Sequence, residues 1–117
     1  MLIFIIILYL VVASIGIYLF SKIFSKTPSK ISSPKIVLGV IHGILGLFGI
    51  SLLIIYTSFQ QGETPYVSIL LFVLAFFFGG GMFTMSIQGK KFPKVIAFIH
   101  IAIAVTGIYL LVKFWLG

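Results

Sequence analysis

Residues 35–56 read KIVLGVIHGILGLFGISLLIIY. Beyond Lys35 the stretch carries no formal charge, and it holds a single histidine, His42. A helix rises about 1.5 Å per residue, so a run of this length covers the roughly 30 Å hydrocarbon core of a bilayer. Pro34 stands just before it, at a favoured first-turn position. The stretch therefore reads as a membrane-spanning helix.

Three more such stretches account for nearly all of the remaining chain. Helices are expected over about 2–24, 35–56, 65–88 and 93–115. Pro28 and Pro34 bracket the first connector, Pro65 opens the third helix, and Pro93 opens the fourth after Gly89-Lys90-Lys91 closes the third. Of the 117 residues 62% are hydrophobic and 8% charged, with a mean hydropathy of +1.36. That excludes an ordinary soluble domain, which needs far more polar surface at this size. The expected fold class is all-α: one integral membrane domain over residues 1–117, built as an up-down-up-down bundle of four transmembrane helices. Met1-Leu2-Ile3-Phe4 enters apolar sequence with no basic segment and no small-residue cleavage site after it, so the first helix reads as retained.

The net charge of +7 is not a nucleic-acid signal. The basic residues are all lysines, and seven of them flank two connectors: Lys22, Lys26, Lys30 and Lys35 around the first, Lys90, Lys91 and Lys94 around the third. The second connector has none and holds Glu63, the only acid. By the positive-inside rule the first and third connectors face the cytoplasm and both termini lie outside it, in an arrangement suited to a bacterial inner membrane. Tyr56, Tyr66 and Trp115 then form an outer aromatic belt. The lysines read as topology signals and contacts to anionic lipid. With no cysteine there is no disulfide and no thiolate-bound cluster.

The second and fourth helices repeat one another. Superimposing His42 on His100 brings Gly49 onto Gly107, each followed by Ile-x-Leu-Leu, and pairs Gly39 with Ala97 and Gly46 with Ala104. This suggests two related helical hairpins. Both histidines lie seven or eight residues beyond their proline, roughly 10–12 Å into the membrane. Their helices run in the same direction as diagonal neighbours, so the imidazoles are expected to face each other at one depth. At 100° per residue Gly39, Gly46 and Gly49 share the face of His42, and Ala97, Ala104 and Gly107 share that of His100. Free space is expected along both strips, with Gly16 and Gly79-Gly80-Gly81 at a similar depth.

An ionisable side chain inside a membrane marks a functional site by default. Haem iron accepts two axial imidazoles, and small residues beside each ligand let a flat ring approach the backbone. His42 and His100 are therefore candidate metal ligands of one b-type haem. Lys35 or Lys94 would reach its propionates, and Tyr18, Ser14, Thr84 or Ser86 would orient an imidazole. The pattern of His42, Gly49, His100 and Gly107 resembles b-type membrane cytochromes built as four-helix bundles, and small four-helix bacterial membrane proteins with repeated His-x6-Gly helices. The resemblance covers helices 2 to 4 and implies electron transport. Larger cytochromes of this kind often carry four histidines and two haems; two histidines here allow at most one.

Other readings stay open on the same residues. Two neutral imidazoles can simply hold helices together, and glycine strips serve close packing. The competing function is a cofactor-free accessory subunit filling a groove in a larger membrane protein complex. Two histidines without an acid or cysteine make a poor zinc site. Small multidrug resistance transporters share this length and helix count, but they need a membrane-buried glutamate that this chain lacks. No Ser-His-Asp set can be assembled, so the chain reads as a carrier or accessory subunit and not as an enzyme.

Overall fold

A computed structural model describes residues 1–23 and 33–117. It contains four helices: α1 (Leu2–Ile23), α2 (Ser33–Ser58), α3 (Tyr66–Ile87) and α4 (Lys94–Leu116). All four are long and apolar enough to cross a membrane. The chain is an all-α four-helix bundle and an integral membrane protein. Phe24, Lys26, Pro28 and Lys30 of the first connector lie outside the described residues.

The punctuation falls where the sequence puts it. Pro65 and Pro93 are the residues that precede α3 and α4. Proline has no amide hydrogen to lose at a helix start, where the first donors are unpaired in any case. The close of α3 depends on Gly89, whose φ of 71° lies in the left-handed region. There Lys90 N–H donates to the Met85 carbonyl at 2.9 Å and Gly89 N–H to that of Ser86 at 3.1 Å. This is the Schellman pattern, in which a glycine lets the chain reverse and cover the last carbonyls. α2 runs two residues beyond its expected end, and its terminal hydroxyls bond back onto it: Thr57 Oγ1 and Ser58 Oγ both donate to the Ile54 carbonyl.

α1 packs against α2 and α4, and α3 packs against the same two, so α2 and α4 are diagonal across the bundle. Packing is most extensive within the α1–α2 and α3–α4 hairpins. Both termini and the α2–α3 connector lie at one end, the terminal end. Lys22, Lys35, Lys90, Lys91 and Lys94 gather at the other, the lysine end.

The two ends are packed differently. The buried core of Leu2, Ile5, Ile6, Tyr9, Ile50, Leu53, Phe72 and Leu111 belongs entirely to the terminal half. Nearer the lysine end, beyond Val12 and Ala75, Ala97 is the one buried residue among those described. The outward faces are apolar throughout, as at Phe4, Ile17, Ile44, Phe77 and Val105, which suits contact with lipid tails. Lipid tails are as apolar as leucine, so the core cannot form by excluding water. Close van der Waals fit has to hold the helices together.

That fit follows a two-fold relation. Shifting α1 residues by 63 positions pairs Leu2 with Pro65, Ile5 with Ser68, Tyr9 with Phe72 and Val12 with Ala75, and all eight are buried. Shifting α2 residues by 58 pairs Gly49 with Gly107 and Leu53 with Leu111, again all buried. The repeat visible between α2 and α4 thus extends to α1 and α3, with an axis running along the bundle. Tyr9 and Phe72 stack across that axis, with ring centroids 3.9 Å apart and planes 13° from parallel.

Candidate functional site

The histidines meet as their spacing predicts. The rings of His42 and His100 face each other with centroids 6.2 Å apart and planes 63° apart. Each is half-buried, and they lie where the packed terminal half gives way to the more open half.

Each imidazole is anchored by backbone from the preceding helix. His42 Nδ1 lies 2.9 Å from the Val12 carbonyl, and His100 Nδ1 lies 2.9 Å from the Ala75 carbonyl. A carbonyl oxygen can only accept, so Nδ1–H donates in both, and each Nε2 keeps its lone pair. Helical carbonyls are normally shielded by the side chain one turn ahead, which points back over them. Here the residues one turn ahead are Gly16 and Gly79. A Cβ on Gly16 would lie 2.9 Å from His42 Cε1, and one on Gly79 would lie 2.9 Å from His100 Cε1. These two glycines open a path to the carbonyls and fix where the rings sit. The same four-part contact — histidine, carbonyl, glycine and hairpin partner helix — is built twice.

The hydroxyls expected to orient the histidines do other work. Ser14 Oγ donates to Leu10 O, Thr84 Oγ1 to Gly80 O and Ser86 Oγ to Met82 O, each within its own helix. Tyr18 lies under Lys22, whose Nζ is 5.1 Å from the ring centre. The sequence cannot reveal the actual partners directly, because a backbone carbonyl has no letter. The available signal was an aromatic-x6-Gly spacing, Tyr9 to Gly16 and Phe72 to Gly79, which repeats in α1 and α3.

The small-residue strips are only partly free, contrary to the expectation of open space along them. The Phe83 ring fills the place beside Gly39, Tyr9 that beside Gly49 and Phe72 that beside Gly107, at 2.8–2.9 Å from an added Cβ. Ala97 is buried and Ala104 half-buried. Gly46, one turn from His42 on the same face, has nothing within 4 Å of an added Cβ; Gly80 and Gly81 are also clear, but they are exposed on the outside of α3. Of the two histidine-face strips, only the place beside Gly46 is thus shown to be clear.

Comparison with protein-family models, curated proteins and solved structures gives no match to this chain. The site has to be read from its own geometry. Among the described residues no three histidines, cysteines or acids gather as a metal-binding group. A closed four-ligand zinc site is therefore not available from these side chains. Two opposed imidazoles suit a metal whose other positions are filled by a macrocycle. A metal–nitrogen bond is about 2.0 Å and the ring centre lies about 1 Å further on, so ligands on opposite sides of one metal have centroids about 6 Å apart. The observed centroid separation is 6.2 Å, with the rings in an edge-on arrangement. The nitrogen donors suit a metal such as haem iron, and Gly46 leaves space on the His42 face.

Proposed function

We propose that this membrane protein binds one b-type haem between His42 and His100 and relays electrons within the bilayer. The observation that carries this reading is the pair of imidazoles 6.2 Å apart, each with Nδ1 committed to a carbonyl and Nε2 left as a donor. Fixing Nδ1 on a carbonyl selects the tautomer and sets the ring's rotation, which is how proteins prepare a histidine ligand. A haem so held supplies a reversible one-electron couple. His42 and His100 would both hold the iron, which would favour electron transfer over binding of oxygen or a substrate. The packed terminal half, with Tyr9 and Phe72 at its inner limit, keeps water from one side of the site. At the other side Lys35 stands two turns from His42 on the same face, half-buried and placed to meet a carboxylate.

The test is optical. The protein is purified in mild detergent after expression with added haem, and its visible spectrum is recorded oxidised and after dithionite. A Soret band with split reduced bands is expected, and both His42→Ala and His100→Ala should lose it. A colourless preparation that takes up no haem on supplementation would overturn the reading. If such a preparation held a fixed partner on native purification, the chain would be a cofactor-free accessory subunit.

A further inference from the structure

The terminal end holds two charged side chains, and both open onto one groove. Glu63 and Lys113 line a cavity of about 310 Å³ between the α2–α3 connector and the last turns of α4. Glu63 is the only acid in the chain, and Lys113 is the one lysine that does not flank the first or third connector. A second cavity, of about 470 Å³, continues from the first and is bordered by Pro65 and Val67 at the start of α3. Leu110 and Phe114 of α4 line both. The groove along the α3–α4 seam thus has a charged mouth and an apolar continuation.

The order of these groups along the bundle is informative. The other lysines of the membrane spans stand at span ends, but Lys113 lies three residues inside the end of the α4 span. A charge there is costly unless its stem carries it to the headgroup level or a partner meets it. Glu63 lies three residues outside the α3 span, which starts at Tyr66. From the bilayer centre outward the groove therefore presents apolar side chains, then a cation, then an anion. A glycerophospholipid with an amine headgroup presents the complement in the same order: acyl chain, phosphate, ammonium. The first turn of α3 has no side-chain cap, so its free amide end also favours a phosphate beside it.

We propose that this groove binds one zwitterionic glycerophospholipid of the phosphatidylethanolamine class. Lys113 meets the phosphate, Glu63 accepts hydrogen bonds from the primary ammonium, and an acyl chain lies against Val67, Leu110 and Phe114. A choline headgroup has the same charges but no N–H to donate to the carboxylate, so it binds less well. An anionic lipid without an amine leaves Glu63 unmatched. The five lysines at the opposite end suit anionic lipid, so the two ends of the bundle select different headgroups.

The experiment is native mass spectrometry of the full chain in detergent, titrated with dioleoyl phosphatidylethanolamine or dioleoyl phosphatidylcholine. The first ethanolamine lipid is expected to bind at least about threefold more tightly than the first choline lipid. Glu63→Gln should abolish that preference by weakening the ethanolamine lipid alone, and Lys113→Gln should weaken both lipids. Both side chains are exposed, so neither substitution disturbs the core. Lys91→Gln, at the lysine end, should leave the preference unchanged. Chain-free glycerophosphoethanolamine in about tenfold excess should not displace the lipid. Equal binding of the two lipids, or a preference that survives Glu63→Gln, would overturn the headgroup assignment. Displacement by the chain-free compound would overturn the acyl groove, because the ligand would then be a soluble phosphoamine.

Discussion

The α1–α2 and α3–α4 hairpins make the same contacts with different residues. In one, a tyrosine ring fills the notch at Gly49; in the other, a phenylalanine ring fills that at Gly107. In one the carbonyl that receives the histidine belongs to valine, in the other to alanine. Ile5 and Ser68 occupy equivalent, fully buried positions. Among the positions the two hairpins share to the letter are His42 with His100, Gly16 with Gly79, Gly49 with Gly107, and Leu53 with Leu111. The comparison separates two kinds of position. Even buried side chains differ between the hairpins, as at Ile5 and Ser68. Gly16, Gly79, Gly49 and Gly107 are kept in both, and there a Cβ would meet a ring at 2.8–2.9 Å.

The strongest way to break the equivalence is to fill one histidine notch. Gly16→Val or Gly79→Val drives a side chain into an imidazole and costs its hydrogen bond. Each should destabilise the bundle by about 3 kcal/mol, from overpacking and a lost buried bond together. Thermal unfolding in detergent measures this, and the two variants should match within about 0.5 kcal/mol if the half-sites are equivalent. Filling the aromatic notches tests the packed half in the same way. Gly49→Ala and Gly107→Ala should each cost about 1–3 kcal/mol, because the opposing rings are stacked and have little room to retreat. A neutral result in either would show that the stack is not rigid.

Removing one polar difference between the hairpins should help the fold. Tyr9 Oη is buried without a hydrogen-bond partner, so Tyr9→Phe makes the pair symmetric and removes an unsatisfied group. A gain of about 1 kcal/mol is expected, measured as a higher unfolding midpoint. The smallest effect belongs to the hydroxyls that bond only within their own helix. Ser14→Ala and Thr84→Ala should change stability by less than about 0.5 kcal/mol and leave the histidines in place. A large loss in either would mean that the hydroxyl reaches the imidazole.

Much of this architecture is legible in the sequence, for a physical reason. Hydropathy, proline and glycine set where a helix can cross a bilayer and where it must stop, so Pro65, Gly89 and Pro93 mark boundaries directly. The meeting of His42 and His100 follows from equal depth on parallel helices. The use made of the glycines does not follow. Gly39, Gly49 and Gly107 lie on the histidine faces and look like free space, yet each receives an aromatic ring from a neighbouring helix, and helical spacing says nothing about which neighbour leans in. The imidazole anchors were equally hidden, being carbonyls of Val12 and Ala75. The α1–α3 half of the repeat was masked by its background, where Tyr9 and Gly16 are surrounded by other apolar residues. Its offset also differs from that of α2 and α4, because five more positions separate Gly16 from His42 than Gly79 from His100.

The central claim is that two equivalent imidazoles form one two-ligand site for haem. It is tested most directly by titrating haem into the purified chain and following the Soret band of a low-spin, six-coordinate complex. Saturation at one haem per chain is predicted, with equal loss of the six-coordinate spectrum in His42→Ala and His100→Ala. A six-coordinate spectrum that survives in the double variant, or no uptake by the unmodified chain, would contradict the account.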